Sequence, residues 1–173
     1  LGEEIKFIEG VRVVFDILHQ SRSRIEEAIL RMPTFGHEFI HAKYHHESLG
    51  EITNNWGHHQ IDAISLFLYA VGFAHKKGIS IFRTEEDREM VHLLVQYLIS
   101  IRYFESPDNG MWEEWMEIHA SSLGAAVCAL ELLSEQKLAV VPQEVMDRGR
   151  EALFTVLPNE TPNRTEDMAQ LSL

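Results

Sequence analysis

Two adjacent carboxylates between two indoles, Trp112-Glu113-Glu114-Trp115, offer the clearest chemistry in this sequence. Partial desolvation by the indoles and repulsion between the carboxylates can raise the pKa of one carboxyl group toward neutrality. A carboxyl group tuned in this way can act as a general acid, which is half of the pair that a glycosidase needs. Alternatively, the same residues form the acidic first turn of a helix that starts near Ile118, with the indoles packed on it.

A second segment, Asn55 to Asp62, combines an indole, a glycine, an amide and a carboxylate just before an apolar run. Trp56 can stack on the C–H face of a sugar ring, while Gln60 and Asp62 can exchange hydrogen bonds with its hydroxyls. In the alternative interpretation, Trp56 belongs to the core, Asp62 interacts with the dipole of its own helix, and Gln60 is exposed. Composition alone favours this alternative.

Histidines form a third candidate group, because six of the 10 in the chain fall between residues 37 and 59. The six are His37, His41, His45, His46, His58 and His59. The first three lie four apart, a spacing that places imidazoles on one helical face in some zinc sites. Gly36 and its neighbours do not favour a helix here, and no cysteine lies nearby. We therefore expect a polar cluster carried by a loop, with no metal and no cofactor, and keep a metal-binding domain as an alternative.

Five helices are predicted to position these residues, and no segment shows the alternation typical of a β-strand. The helices are expected over residues 11–32, 61–76, 85–104, 118–134 and 142–157. Pro33 ends the first of them, and Thr84, followed by three acids, begins the third. Small residues in the fourth should let a neighbouring helix approach closely. The predicted fold class is all-α.

Composition narrows the classes of function. The chain has 173 residues, of which 45% are hydrophobic and 24% charged, as in ordinary globular domains. Its net charge of -12 would repel a phosphate backbone, so nucleic acid is a poor partner. The longest apolar run, Ile61 to Phe73, includes Asp62 and is too short for a membrane span. Cys128 is the single cysteine, which suits a reducing compartment and a cytoplasmic location.

Several short motifs follow one another in a fixed order through most of residues 40–173. They are His41 to Tyr44, Trp56 to Leu66, Tyr103 to Glu113, Ala120 to Gly124, and Leu157-Pro158 with Asp167 to Leu171. In this order and with these gaps, they resemble the glucoamylase-like domain of glycoside hydrolase family 15. The resemblance is strongest to the offshoot of that family in the alpha and beta subunits of phosphorylase kinase.

The resemblance implies a six-hairpin α/α toroid, with about twelve helices in two rings and an active site at the mouth formed by connecting loops. Five helices would make up about half of such a ring. Residues 1–173 are therefore expected to form a single incomplete domain, a fragment of the whole barrel. Its open edges should expose apolar faces and favour self-association.

The resemblance also implies roles for individual residues. Glu113 corresponds to the general acid, and Glu114 to a residue that binds a sugar hydroxyl. Trp56 corresponds to a tryptophan that lines the glucose pocket. The full set of substrate-binding residues expected in this way is Trp56, Asp62, Glu114, Trp112, Lys43, Tyr44 and Gln60.

The activity implied for the parent protein is hydrolysis of α-glucosidic bonds in an α-glucan or oligosaccharide by an inverting mechanism. Such a mechanism needs a second carboxylate about 6.5–9.5 Å from the acid. In the family that residue lies far downstream, so the fragment itself is expected to be inactive. Two alternatives stay open: a non-catalytic regulatory or scaffold domain, as in the kinase subunits, and a metal-binding domain built on the histidine cluster.

Overall fold

Six α-helices make up the main secondary structure of the residues that the computed structural model describes, which are 2–52, 57–112, 115–165 and 170. They are α1 (Gly2–Gln20), α2 (Arg22–Leu30), α3 (Ile61–Lys76), α4 (Glu85–Ser100), α5 (Ala120–Glu135) and α6 (Gln143–Val156). A short 3-10 turn follows α2, and isolated β-bridges are the only extended pairing in these ranges. The prediction of an all-α fold is confirmed. Across the same ranges, no helix has both the length and the hydrophobicity to cross a membrane.

The predicted helix over residues 11–32 is wrong, because two helices occupy that stretch. α1 begins earlier, at Gly2, and the backbone leaves helical geometry at Ser21, where ψ is 8°. The Ser21 hydroxyl donates a hydrogen bond of 3.3 Å to Glu51, which lies 30 positions away in the chain. The break allows α2 to pack on α4 while α1 contacts both α3 and α4. Both apolar faces reach the core in this way.

α4 also ends earlier than predicted, at Ser100 and not near residue 104. Arg102 has a φ of 54°, a left-handed conformation that an L-amino acid does not adopt inside a right-handed helix. The remaining predicted ranges, 61–76, 118–134 and 142–157, agree with α3, α5 and α6 to within two residues.

α3 and α5 form the most extensive helix contact among the described residues. Gly72 of α3 lies so close to α5 that an added Cβ would be 2.9 Å from Cγ of Leu132. Small side chains of α5, such as Ala126 and Ala129, are fully buried. The close approach predicted from the small residues of this helix is therefore present, and α6 packs on α5 in turn.

α3 and α5 begin at the same end of this pair, at one buried carboxylate. Oδ2 of Asp108 accepts a 2.8 Å hydrogen bond from the N–H of Ile61, the first residue of α3. The same oxygen accepts a 2.8 Å hydrogen bond from the hydroxyl of Ser122, in the first turn of α5. The loops that precede the two helices therefore meet at one end of the structure.

Candidate functional site

Three of the predicted site residues, Trp56, Glu113 and Glu114, lie outside the described residues. The structure does describe the segments on either side of them, 57–62 and 106–112 among others. The site is therefore built here from these neighbouring segments and from the buried groups that hold them.

The segment after Trp56 lies directly beside the loop that leads to Trp112. The backbone N–H of Asn109 donates a 2.9 Å hydrogen bond to the carbonyl of His59. Gly57 packs so tightly on the Asn109 side chain that an added Cβ would be 2.5 Å from Cγ of Asn109. A side chain at position 57 would force the two segments apart. The structure thus brings together two motifs that are about 50 residues apart in the sequence.

Asp108 is the buried centre of this end of the structure, with an exposed fraction of 1%. Burial raises the pKa of Asp108 to about 7, and the neighbouring carboxylate of Asp62 adds to the effect. Hydrogen bonds from Ile61 and Ser122 oppose the rise without cancelling it. Asp108 is therefore protonated more readily than an ordinary aspartate, while its carboxylate oxygen joins the starts of α3 and α5.

The loop 109–116, which carries the tryptophan–glutamate motif, is closed at its base by backbone pairing. Asp108 and Glu117 exchange two hydrogen bonds, of 2.9 Å from the N–H of Asp108 and 3.1 Å from the N–H of Glu117. The side chain of Asn163 donates a 2.6 Å hydrogen bond to Glu117. Gly110 has a φ of 60°, which permits the turn that begins the loop. The base of the loop is thus fixed from two directions.

Glu160, which is buried, caps the N-terminus of α5. Its side chain accepts a 2.6 Å hydrogen bond from the Ser121 hydroxyl and a 3.3 Å bond from the Ser121 N–H. Its backbone carbonyl accepts a 2.7 Å bond from the N–H of Ala120. A carboxylate at this position also interacts favourably with the positive end of the helix dipole. Glu160 therefore satisfies helix N–H groups that would otherwise be buried without acceptors.

His119, the residue just before α5, lies between Glu160 and the loop. Its Nδ1 is 3.4 Å from Oε1 of Glu160. Burial lowers the pKa of His119, but the contact with Glu160 and the nearby Asp108 outweigh it, so that the pKa is raised overall. The imidazole is therefore in a setting that favours its charged form.

Asp62 and Gln60, two of the predicted substrate-binding residues, are largely buried. Their exposed fractions are 4% and 9%. The interpretation in which Gln60 is exposed is therefore wrong. Burial raises the pKa of Asp62, against hydrogen bonds from the backbone N–H groups of the first turn of α3. Oδ1 of Asp62 and Nε2 of Gln60 have no hydrogen-bond partner within the described residues.

Lys43 and Tyr44, two further predicted ligand residues, lie in the long connection between α2 and α3, where Tyr44 pairs with Glu51 in an isolated β-bridge. The carbonyl of Lys43 accepts a 3.1 Å hydrogen bond from the N–H of Ile52. The hydroxyl of Tyr44 donates a 2.7 Å bond to the carbonyl of His41, and burial raises the pKa of Tyr44 to about 12. Tyr44 also borders a cavity of about 180 Å³ between α1 and α3. Typical ligand pockets are larger, at about 300–1,000 Å³.

Trp112 is the remaining predicted ligand residue, and 51% of it is exposed. Trp115, at the other side of the motif, is exposed to 84%. The interpretation in which both indoles pack on the following helix is therefore wrong for Trp115. An exposed indole is available for stacking on a sugar or for contact with another protein.

Three histidines of the cluster, His41, His58 and His59, take part in ring stacking. The rings of His41 and His58 stack with centroids 4.2 Å apart, and those of Phe39 and His59 with centroids 3.8 Å apart. Nε2 of His59 is 3.2 Å from the Ser106 hydroxyl, and burial lowers the pKa of His59 to about 4. Within the ranges that the structure describes, no three histidine, cysteine, aspartate or glutamate side chains are arranged to hold a metal ion. The alternative of a metal-binding domain has no support in these residues.

Asp108, His119 and Glu160 were not predicted as site residues. Asp108 lies in a Pro-Asp-Asn-Gly sequence, which is equally typical of an exposed turn. One signal was present: Ser121 and Ser122 stand directly before a run of small and apolar residues, and buried hydroxyls require hydrogen-bond partners. The sequence could thus have indicated that acceptors exist, although not which residues supply them.

Comparison with known proteins places this arrangement in a family. Residues 18–144 match the model of the glycosyl hydrolases family 15. The chain is 30% identical over 154 residues to the phosphorylase b kinase regulatory subunit alpha, liver isoform, of Mus musculus, a match that covers 78% of this chain and 12% of the relative. It is 29% identical over 186 residues to the probable regulatory subunit alpha of the same kinase from Drosophila melanogaster, covering 96% of this chain and 14% of the relative.

A third relative is the probable phosphorylase b kinase regulatory subunit beta of Drosophila melanogaster. It is 27% identical over 183 residues, which cover 95% of this chain and 16% of the relative. The chain thus spans about an eighth of the length of the first relatives it matches. The resemblance inferred from the order of the motifs is confirmed, and the all-helical structure is consistent with part of a glucoamylase-like α/α toroid. The chain belongs to the glycosyl hydrolases family 15.

Proposed function

We propose that this chain is part of a glucoamylase-like domain that serves a protein kinase assembly as a regulatory scaffold. The observation that carries the proposal is the similarity to phosphorylase b kinase regulatory subunits over 78–96% of the chain. The similarity extends to both the alpha and the beta subunits of that kinase. A role shared by both kinds of subunit is the simplest function to carry over to this chain.

The buried carboxylates at the loop end support a scaffold role. Asp108 and Glu160 each accept hydrogen bonds from the first turns of the central helices, and both are 1% exposed. A catalytic carboxylate must reach its substrate or a water molecule. These two carboxylates instead hold together the first turns of α3 and α5 and the loop that precedes α5. The polar residues described at this end therefore stabilise the position of the loops.

A second candidate function is hydrolysis of α-glucosidic bonds in an α-glucan or oligosaccharide, with Glu113 as the general acid. The observation that favours it is the anchored loop 109–116, which carries Trp112-Glu113-Glu114 and starts beside the segment 57–60. A loop fixed at its base can hold an acid in a defined position. This candidate requires a second carboxylate to activate water.

One pair of assays on the intact protein that contains this chain separates the two functions. Under the scaffold proposal, the protein co-purifies with a kinase catalytic subunit, changes the rate at which phosphorylase is phosphorylated, and releases no glucose from maltooligosaccharides. Glucose release that is lost in Glu113→Gln, and retained in the control Glu135→Gln at the exposed end of α5, would overturn the scaffold proposal in favour of hydrolysis. Absence of any kinase partner together with that result would leave no regulatory role.

A further inference from the structure

Three segments that are distant in the sequence meet around the side chain of His119. Nδ1 of the ring is 3.4 Å from Glu160, in the segment after α6. The ring also lies against the backbone of Gly110, where an added Cβ would be 2.8 Å from both Cε1 and Nδ1. The side chain is 6% exposed, so solvent contributes little to its interactions. His119 therefore fills the space between the start of the loop 109–116 and the cap of α5.

The imidazole ring can carry a positive charge, and it lies between Glu160 and the start of the loop. We infer that His119 is a positioning residue, whose protonated ring, paired with Glu160, stabilises the backbone pairing of Asp108 with Glu117 at the base of the loop. Loss of the proton then weakens this pairing. The functional meaning of this inference rests on the proposed function, for which this loop is part of the candidate site. The inference adds regulation by pH to that same site.

The charges around the ring explain why its proton matters. The groups that face His119 among the described residues are all acids: Glu160 after α6, Asp108 and Glu117 at the base of the loop, and Asp62 in α3. A cationic ring compensates this group of carboxylates, and a neutral ring does not. Without a cation these acids repel one another, and the repulsion acts on the two residues that close the loop, the buried Asp108 and the half-buried Glu117.

The direction of the pH effect follows from this arrangement. The pKa of His119 is raised above its ordinary value of 6.5 despite burial, because Glu160 and Asp108 favour the charged form. The ion pair is thus complete below pH 6.5 and is lost as the pH rises through the raised pKa. The base of the loop should open as the pH rises above 6.5, while the central helices stay folded.

Amide hydrogen exchange in the intact protein tests the inference directly. The reporters are the N–H groups of Asp108 and Glu117, which bond to each other's carbonyls across the base of the loop. After correction for the intrinsic dependence of exchange on pH, we expect their protection to fall at least about tenfold between pH 6 and pH 9. Amides in the centres of α3 and α5 should keep their protection over the same range.

Three variants make the test specific. His119→Gln should reduce the pH step to the part that Asp108 contributes and leave the reporters less protected than in the unaltered protein at pH 6. Glu160→Gln should move the step to lower pH, and its amide oxygen can still accept the hydrogen bond from Ser121, which preserves the cap of α5. His92→Gln, which changes an exposed histidine of α4, is the matched control and should behave like the unaltered protein.

Several results would overturn the inference. One is equal protection of the reporters at pH 6 and pH 9 in the unaltered protein. Another is a pH step of undiminished size in His119→Gln, or one that does not move in Glu160→Gln. If His119→Gln fails to fold, as judged by circular dichroism, the outcome with Glu160→Gln decides. Because exchange is measured without substrate or kinase, its result is independent of the assays that test the proposed function.

Discussion

Asp87 in α4 and Asp108 in the loop before α5 are equally buried, each with 1% of its surface exposed, yet their pKa values move in opposite directions. Burial alone would raise both. At Asp87, hydrogen bonds from Arg83 and His19 outweigh burial and lower the pKa to about 2. At Asp108, the hydrogen-bond donors are neutral and burial outweighs them, so the pKa rises to about 7.

The two regions show that the partner of a buried carboxylate decides its role. Asp87 receives two hydrogen bonds from the Arg83 guanidinium, of 3.2 and 3.1 Å, and one of 2.9 Å from the Arg83 N–H. These bonds fix the start of α4, and the positive charge of Arg83 compensates the negative charge of Asp87. Asp108 instead joins two helices through a group that can take up a proton near neutral pH. The loop end of the structure is thus sensitive to pH near neutrality, whereas the α4 entry responds only at acid pH.

The largest expected effect is a stability profile with opposite slopes on the two sides of pH 3.8. For Asp108, whose folded pKa of about 7 exceeds the ordinary 3.8, the folded state binds more protons, so the free energy of unfolding should fall as the pH rises from 3.8 to 7. The change is on the order of 4 kcal/mol if the whole shift is expressed. For Asp87, whose folded pKa is lower, stability should fall as the pH drops from 3.8 to 2.

Urea unfolding of the chain between pH 2 and pH 8 checks both slopes. Asp108→Asn should flatten the profile between pH 3.8 and 7 only, and Asp87→Asn should flatten it below pH 3.8 only. A profile in which both variants change the same pH range would show that the two carboxylates do not differ as described.

The next largest effect is expected from Asp108→Ala, which should cost about 3 kcal/mol of unfolding free energy. It removes the acceptor for the Ile61 N–H and the Ser122 hydroxyl, and leaves both groups buried. Chemical denaturation at pH 6 measures the loss, with Asp108→Asn as the control that keeps an acceptor oxygen. An alanine variant as stable as the asparagine variant would mean that Asp108 does not join the two helices.

A matched pair of asparagine variants gives the third comparison. At pH 7, Asp87→Asn should cost about 2 kcal/mol, because it removes the charge that Arg83 and His19 contact. Asp108→Asn should instead raise the free energy of unfolding, because the amide keeps an acceptor oxygen and removes the cost of burying a carboxylate whose folded pKa is about 7. Both values come from the same urea titration. Equal effects would contradict the distinction between a charge-compensated and a neutral site.

The sequence predicted some elements well and others poorly, for reasons that this comparison makes clear. The range of α3 follows from local signals, because an apolar run ends in Lys76, Lys77 and Gly78. The break at Ser21 does not, because it depends on a contact with Glu51 that only the folded chain makes. Local patterns report helices, whereas breaks set by distant partners leave no local pattern.

The same limit applies to the site. Asp87 lies in the first turn of α4, where an acid is expected from the helix dipole, and its main partner Arg83 is four residues away. The partners of Asp108 are 47 and 14 residues away, and the distance between Glu160 and Ser121 is 39 residues. Motif order could predict the family, but the buried groups that hold its loops emerge only when these segments meet.

The smallest expected effect is a difference in salt dependence. Arg83 also pairs with Asp16 at 2.6 Å, and the two side chains are 32% and 45% exposed, so dissolved ions can screen this network. In 1 M NaCl, the cost of Asp87→Asn should shrink by a few tenths of a kcal/mol, whereas the effect of Asp108→Asn on stability should not change. Comparing the two variants removes the general effect of salt on hydrophobic burial, since that effect is common to both. Equal changes in both effects would mean that the Asp108 site is as open to ions as the α4 entry, which its burial among neutral donors argues against.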